Sequence, residues 1–522
     1  MNAIRLALLQ EQLEGVAEVM GSALARSAFS PNIRVRLDFS CALFGPDGAL
    51  LGQAAHIPVH LGSMPDQIRC LVADHKLQPG QLYIGNDPYN GGTHLPDITL
   101  MKPIFFEGSL LGVAAARAHH ADVGGQAPGS MASQPNIYGD GLRIPITLLA
   151  RDGRWDEGLT QLLLANMRSP KDRQGDLLAQ QAACKHGEEG LLRVYQQWAG
   201  SNSEVWQNGL NELLESSRKG TLAALSRLVS VNGAAQAEDL LEVGGESVPI
   251  RVRLGLDGAG CLEADFHGTS PGVAASFNAT LAVTKAAVCY VVRCLTPANL
   301  PLNQGFLECI RVKAPIGSVV SAAYPQAVAA GNVETSQRIV DVVFRAFHEL
   351  APHCVPAASA GSMNNFSFGF QNPEFGVHYE TSGGGAGGCP GGPEQSLSGV
   401  QVHMTNTLST PIEVMEEEFP VRVERFQIKP GTGGNGQFRG GDGTTKVFTF
   451  LEDASVTVMT TRRRTQPYGL AGGQDGQPGA QFRGSEGEWT PVEASSTHSI
   501  RAGESFRLDT PGGGGFGEGE LV

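Results

Sequence analysis

Asp87-Pro-Tyr-Asn-Gly-Gly-Thr-His94-Leu-Pro-Asp97 and Arg117-Ala-His119-His120-Ala-Asp122-Val-Gly-Gly125 flank two apolar runs of this chain. The runs, residues 98–106 and 109–116, are joined across Glu107-Gly108, a pattern that predicts a β-hairpin. A three-residue loop at 107–109 pairs Phe106 with Leu110 and sets Asp97 opposite His119. A two-residue loop shifts the register by one and sets Pro96 there instead. Both registers bring the polar residues together at the open end of the hairpin.

The residue types at that end are those of a metal site. His94, Asp97, His119 and His120 meet there, with Asp122 close by. Opposed positions on paired strands lie about 5 Å apart at Cβ. That spacing suits an ion held by imidazole nitrogen and carboxylate oxygen at about 2.0–2.2 Å. A single buried histidine more often satisfies a hydrogen bond in a core, whereas here two histidine-bearing runs arrive together. His120 and Asp122 are alternatively supporting groups that fix an imidazole tautomer.

Composition narrows the class of protein. The chain has 522 residues and a net charge of −14, which argues against nucleic acid as the main partner because phosphate binding needs a basic surface. The sequence has no window of 18 apolar residues, so we expect no membrane-spanning helix. Nine cysteines without a Cys-x-x-Cys pair are typical of reduced thiols. Together with the lack of a basic-then-apolar signal segment at the N-terminus, they predict a cytoplasmic protein.

Periodicity predicts a mixed α/β (α+β) fold in four parts. An α+β part that carries the candidate metal site covers 1–156, and a mainly helical block covers 157–245. An α/β part covers 246–360. A β-rich, glycine-rich part covers 361–522, where glycine runs punctuate short strands.

Two other sequence matches fail on physical grounds. Gly431-Thr-Gly433-Gly-Asn-Gly436 fits G-x-G-x-x-G, but it follows Lys429-Pro430 rather than a strand and opens no helix. Gly268-Thr-Ser270-Pro-Gly272 fits a nucleophile elbow, yet Pro271 has no N–H for the oxyanion hole. The chain contains no G-x-x-x-x-G-K-[ST] loop for ATP.

Three further stretches have simpler interpretations. The run 379–392, rich in glycine, is either a backbone cradle for an anion or a flexible surface loop, and the sequence leaves both open. Arg462-Arg463-Arg464 is predicted to be a surface or interface feature. The polar run 403–407 is predicted to be a structural network.

The whole set of motifs resembles the hydantoinase B family. The resemblance rests on the two runs quoted first and on the motifs Ser30-Pro-Asn-Ile, Asp38-Phe-Ser40, Asp265-Phe-His-Gly-Thr-Ser270, Gly331-Asn-Val-Glu-Thr-Ser336 and Arg439-Gly-Gly-Asp-Gly443. It covers nearly the whole chain and implies that the four parts form one domain. Members are subunits of ATP-dependent N-methylhydantoinases, 5-oxoprolinases and related lactamases, and of ketone carboxylases.

The resemblance implies a division of labour in a hetero-oligomer. An actin-like hydantoinase A subunit uses ATP and Mg to activate the substrate carbonyl, and the hydantoinase B partner carries the metal site where the activated species reacts. It further implies that His94, Asp97 and His119 bind the ion and that Asp38 is a fourth ligand. A set of two histidines with one or two carboxylates suits Zn, Mn or Fe, and the spacing does not choose among them.

The sequence therefore favours the B subunit of an ATP-dependent hydrolase that opens a hydantoin, 5-oxoproline or another lactam. In that hypothesis His120 or Asp122 moves protons at the metal site. A ketone carboxylase subunit is the nearest alternative, and a non-catalytic scaffold for the A subunit is the alternative of another class. The chain departs from the family pattern at Val35, at Gln401 and in its short C-terminus, which leaves the substrate and the partner contact open.

Overall fold

The computed structural model describes residues 3–54, 56–199, 202–229, 233–485 and 487–519. Helices and strands alternate along this part of the chain, and the strands form four sheets. The predicted mixed α and β fold is confirmed. No helix in the described ranges is both long and apolar enough to cross a membrane.

The first sheet has seven strands and carries the predicted hairpin. Its order is β2-β1-β5-β4-β3-β6-β7. The elements of this region are α1 (Ala3–Ser27), α2 (Pro31–Arg34), β1 (Phe39–Phe44), β2 (Leu50–Gln53), α3 (Met64–Asp74), β3 (Gln81–Gly85), β4 (Asp97–Phe106), β5 (Ser109–His119), β6 (Thr147–Arg151) and β7 (Arg154–Trp155).

Side chains alternate between the two faces of β5, as the pleat requires. Ala114, Ala116 and Ala118 belong to the apolar core that α1 builds on one face, whereas Val113 and Ala115 pack with α3 on the other. Even-numbered and odd-numbered residues of this strand therefore lie on opposite faces. The face on which a residue lies decides which side chains it contacts.

Three helices follow, and one of them covers the first sheet. They are α4 (Glu157–Ala165), α5 (Pro170–Ala199) and α6 (Ser203–Leu228). The 30-residue α5 packs on β4 and β5 from the same side as α1. The next strand begins at Ala234, inside the part that the sequence predicted as helical.

The second sheet has the order β11-β10-β9-β8 and is covered by two helices. Its region contains β8 (Ala234–Val243), β9 (Glu246–Leu256), β10 (Leu262–Asp265), α7 (Leu281–Leu295), α8 (Gln304–Leu307), β11 (Ile310–Lys313) and α9 (Ser336–Leu350). A turn of π-helix, Gly331–Thr335, leads directly into α9. Such wide turns occur often at functional sites.

Two further sheets make up the β-rich last third of the chain. Their orders are β13-β12-β16-β19 and β14-β15-β20-β17-β18. The elements are β12 (Asn365–Phe370), β13 (Val377–Glu380), α10 (Ile412–Glu418), β14 (Val421–Lys429), β15 (Gly443–Phe450), β16 (Ala454–Met459), β17 (Ala480–Ser485), β18 (Glu488–Pro491), β19 (Ser495–Ile500) and β20 (Ser505–Asp509).

The glycine runs of this region pack against one another, backbone to backbone. The amide of Gly513 donates to the carbonyl of Gly441 at 2.9 Å, and the amide of Gly441 donates to Ala386 at 2.8 Å. A Cβ on Gly440 would lie 2.1 Å from the carbonyl oxygen of Gly513. The glycines are therefore required for close approach, and the run around Ala386 is part of a packed layer rather than an exposed loop.

The interpretation of the arginine triplet as a surface feature is wrong for Arg462. Its side chain is 1% exposed and donates to Asp239 at 2.8 Å and to Asp341 at 2.9 Å. Arg338 joins the same two carboxylates, and the His403 ring bonds Asp341 at 3.0 Å. Two buried arginines thus neutralise two buried aspartates where β8, α9 and the C-terminal region meet, and His403 belongs to the structural network that was predicted.

Candidate metal centre

The hairpin places Asp97 opposite His119 in the register of β4 and β5. The connection is a two-residue turn, because Phe106 pairs with Ser109. Both turn residues have positive φ, 47° for Glu107 and 81° for Gly108, as the preferred tight hairpin turn requires. The two-residue loop alone would set Pro96 opposite His119, but a β-bulge at Leu111 adds one residue to β5 and restores the pairing with Asp97.

Three candidate ligand residues, two imidazoles and one carboxylate, converge at this end of the hairpin. Ligand atoms of His94, Asp97 and His119 all lie within 4.8 Å of one another, and the three residues are buried. Asp97 Oδ1 lies 3.2 Å from His94 Nε2 and 3.6 Å from His119 Nδ1. His94 enters from the turn just before β4. Three of the four residues predicted as metal ligands are thus brought together.

The imidazole nitrogens of the cluster indicate that it fits a metal ion. The Nε2 atoms of His94 and His119 are buried. That of His119 has no hydrogen-bond partner among the described residues, and that of His94 faces the Asp97 carboxylate at 3.2 Å. The other ring nitrogen of His94 lies 3.3 Å from the carbonyl oxygen of Ala329. Histidines that ligate metals characteristically bond a carbonyl or carboxylate through the second nitrogen. Two imidazoles and a carboxylate form a donor set for Zn, Mn or Fe.

His60 holds the outer oxygen of Asp97 and was not predicted from the sequence. Its Nε2 lies 3.2 Å from Asp97 Oδ2, and its Nδ1 lies 2.9 Å from Ser40 Oγ. The Thr93 hydroxyl and, at 3.4 Å, the amide of Asn332 also donate to Oδ2. Three groups therefore orient Asp97 from behind, so that Oδ1 faces the two histidines.

Two distant segments complete the surroundings of the cluster. Asn332 comes from the π-helical turn before α9, in a motif that carried the family resemblance without an assigned role. Tyr379 comes from β13, and its ring stacks on His119 with centroids 4.5 Å apart and planes 9° from parallel. Neither residue has a sequence pattern that would place it beside the hairpin.

Asp38 borders the same small cavity as Asp97, His119 and His60. The cavity volume is about 20 Å³, which is room for about one water molecule or one ion. The backbone carbonyl of Asp38 accepts from the amide of His119 at 3.0 Å. Asp38 does not belong to the three residues with ligand atoms within 4.8 Å of one another.

His120 and Asp122 lie outside the cluster. His120 follows His119, so the pleat sends its ring to the opposite face, where Nε2 lies 2.9 Å from Gln180 Oε1 of α5. The Asp122 carboxylate accepts from the amides of Gly124, Gly129 and Arg168 and from the Arg168 guanidinium, at 2.8 to 3.1 Å. Its oxygens are thus occupied in holding the glycine loop.

The opposite charges of Asp97 and His94 stabilise each other against the cost of burial. Burial favours a neutral Asp97, but His94 and His60 hold the pKa of its carboxyl well below the usual range. Burial opposes the charged form of His94 as well, and Asp97 nevertheless raises its pKa. Burial lowers the pKa of His119 and brings that of His120 to about 4. Buried Arg117, two residues before His119 on the same face, adds positive charge; burial lowers its pKa to about 10.

The fold and the site together define a mixed α/β protein with a buried two-histidine, one-carboxylate cluster. The profile of the hydantoinase B/oxoprolinase family matches residues 2–519, and the chain belongs to that family. An uncharacterized protein of Methanocaldococcus jannaschii is 37% identical over 99% of this chain and 91% of its own length. The 5-oxoprolinase 1 of Arabidopsis thaliana is 38% identical over 99% of this chain. Only 42% of that protein is covered, so this chain spans about two fifths of it.

Two further similarities concern a hydantoinase component and a solved structure. The putative B subunit of a D-/L-hydantoinase from a Pseudomonas species is 29% identical over 97% of this chain and 88% of its own length. The crystal structure of an ATP-dependent caprolactamase from Pseudomonas jessenii superposes with a TM-score of 0.90 at 25% identity. That match covers 99% of this chain and 91% of the caprolactamase chain.

Proposed function

We propose that this chain is the metal-bearing B subunit of an ATP-dependent hydrolase that opens a cyclic amide such as a hydantoin, 5-oxoproline or another lactam. The observation that carries the proposal is the buried cluster of His94, Asp97 and His119, whose ligand atoms lie within 4.8 Å of one another and in which His119 Nε2 has no hydrogen-bond partner among the described residues. The names of the similar proteins support it: a 5-oxoprolinase, the B subunit of a hydantoinase and a caprolactamase.

In the proposal the cluster residues hold one divalent ion, Zn, Mn or Fe, and Asp38 is the fourth ligand. The assignment of Asp38 rests on the family resemblance and on its position beside the same cavity. A divalent ion bound there supplies a Lewis acid that lowers the pKa of a coordinated water. The surrounding side chains keep the ligands oriented: His60 and Asn332 bond the outer oxygen of Asp97, and Tyr379 covers His119.

We further propose that ATP is used on another chain. Resonance makes an unstrained amide carbonyl a poor electrophile, so activation of the carbonyl with ATP lowers the barrier to attack by water. This chain has no phosphate-binding loop of the P-loop type. The proposed partner is a hydantoinase A-like subunit, which binds ATP and Mg and activates the carbonyl, in a hetero-oligomer with this chain.

The proton-transfer roles of His120 and Asp122 stay predictions. Their contacts favour the supporting interpretation, because His120 bonds Gln180 and Asp122 is held by four donors from the glycine loop and Arg168. Gln180 in turn donates to the carbonyl oxygens of Ile98 and Ala116 in β4 and β5. His120 thus bonds a residue that holds the hairpin, and Asp122 holds the glycine loop, both outside the cluster.

Metal analysis and a reconstituted assay test the proposal. The purified chain is expected to contain close to one divalent ion, and with an A-type subunit it is expected to hydrolyse a cyclic amide only when ATP is present. A metal-free wild-type chain would favour the scaffold alternative. Labelled bicarbonate appearing in the product would favour a carboxylase instead and would overturn the hydrolase.

A further inference from the structure

The cavity at the metal cluster is too small to hold a substrate. Its volume of about 20 Å³ accommodates about one water molecule, whereas pockets for small organic ligands have volumes of roughly 300–1,000 Å³. A cyclic amide must therefore occupy an adjoining space that is separated from the cluster by shared lining side chains.

A cleft of about 620 Å³ provides that space. It lies between α1, residues 56–61 and residues 298–302, and it is the right size for a small cyclic molecule with a solvent-exposed mouth. Ile57 and His60 line this cleft and also line the metal cavity. These two side chains are therefore the wall between the cleft and the cluster.

A second cavity of similar size does not adjoin the metal cavity. It has a volume of about 570 Å³ and lies beside α5, where Leu178 and Lys102 are among its lining residues. None of its lining residues also lines the metal cavity.

The lining of the cleft suits a cyclic amide. Apolar side chains, among them Leu61 and Leu302, offer a surface for the ring, and the side-chain amides of Gln53 and Asn299 offer donors and acceptors of the kind an amide pairs with. Arg293 is engaged by the carbonyl oxygens of residues 297, 298 and 300. The α1 wall carries glutamates, so an uncharged ring is the appropriate probe.

We propose that this cleft receives the ring of the cyclic amide and is its route to the metal cluster, and that His60 is a positioning residue in the wall. The inference rests on the proposed function. His60 lines the cleft with a side chain that is only 1% exposed, and its Nε2 lies 3.2 Å from Asp97 Oδ2 on the other side. Ser40, bonded to Nδ1 at 2.9 Å, sets the orientation of that ring.

The route is tested by filling the cleft with Leu61→Trp. We expect Mn²⁺ bound to this variant to pass to a chelator at least about tenfold more slowly than from the wild type, with the same equilibrium affinity. In the complex with the A subunit we expect a higher KM for 2-pyrrolidinone. Leu178→Trp in the cavity beside α5 is the matched control and should change neither quantity. Release and KM equal to the wild type in Leu61→Trp would overturn the route.

The role of His60 is tested by metal affinity rather than by activity. His60→Phe keeps the bulk of the ring but removes the bond to Asp97, and we expect the Kd for Mn²⁺ to rise about 10–100-fold. His60→Gln, which retains a donor, and Ser40→Ala should give smaller increases. Electron paramagnetic resonance of bound Mn²⁺ should change in His60→Phe and recover in His60→Gln. An unchanged Kd and spectrum in His60→Phe would overturn the role, whereas a wild-type chain that binds no metal would refute the proposed function itself.

Discussion

Asp97 and His119 face each other across two antiparallel strands, and Asp97 Oδ1 lies 3.6 Å from His119 Nδ1. The pairing depends on the bulge at Leu111, since a regular hairpin with the same two-residue turn would offer Pro96 in that place. A bulge adds one residue to one strand and thereby shifts the pairing of every residue beyond it. One extra residue in β5 therefore decides whether the carboxylate reaches the histidines.

Removing a cluster histidine should abolish metal binding and leave the fold. We expect His94→Ala and His119→Ala each to raise the metal Kd by more than the roughly 10–100-fold that loss of a supporting bond causes, because a ligand itself is lost. Bound metal is measured by elemental analysis and titration, and the fold by circular dichroism. His353→Ala, at an exposed position, is the control and should bind like the wild type. Full metal content and activity in a double variant of both cluster histidines would refute the site.

Asp122→Ala should destabilise the protein with little effect on metal content. Four donors lose their acceptor, and the Gly124 to Gly129 loop loses its anchor to Arg168. We expect the free energy of unfolding to fall by about 2 kcal/mol, measured in urea. If Asp122→Ala instead kept its stability and lost turnover, the proton-transfer prediction for Asp122 would be favoured.

Arg462→Ala should be strongly destabilising. It leaves Asp239 and Asp341 with one arginine between them in a buried site, and breaking a buried ion pair costs about 3–5 kcal/mol. Arg464→Ala, two residues along at an exposed position, is the matched control and should stay within about 0.5 kcal/mol of the wild type. Equal unfolding free energies for the two variants would contradict the buried network.

Gly440→Ala tests the backbone packing of the glycine layer. A methyl group there would meet the carbonyl oxygen of Gly513 at 2.1 Å, so we expect a loss of about 1–3 kcal/mol or a failure to fold. Gly258→Ala has no atom within 4 Å of the new Cβ and should be close to neutral. Thermal unfolding of the two variants side by side distinguishes a tight layer from a flexible segment.

The hairpin and the convergence of His94, Asp97 and His119 at its open end were predictable because their signals are local. Turn residues between two apolar runs specify a hairpin, and pairing then brings together residues from both ends of it. The same rule of alternation separates adjacent residues, so only one of His119 and His120 can face the cluster. This alternation can be read from the sequence. In the structure it puts His120 on the face that α5 covers.

By itself the sequence determined the mixed α/β class, the hairpin and the meeting of its two polar runs at the open end, since periodicity and turn chemistry act over a few residues. The choice of His94, Asp97 and His119 among those polar residues came from the family resemblance. The tertiary structure alone decided the register, through the bulge at Leu111, and the partners of the trio. His60 and Asn332 reach Asp97 from segments far away along the chain, where a lone polar residue has no pattern to mark it. Packing of the remaining elements onto the hairpin brings these residues within hydrogen-bonding distance, because a buried carboxylate is stable only when its oxygens have partners.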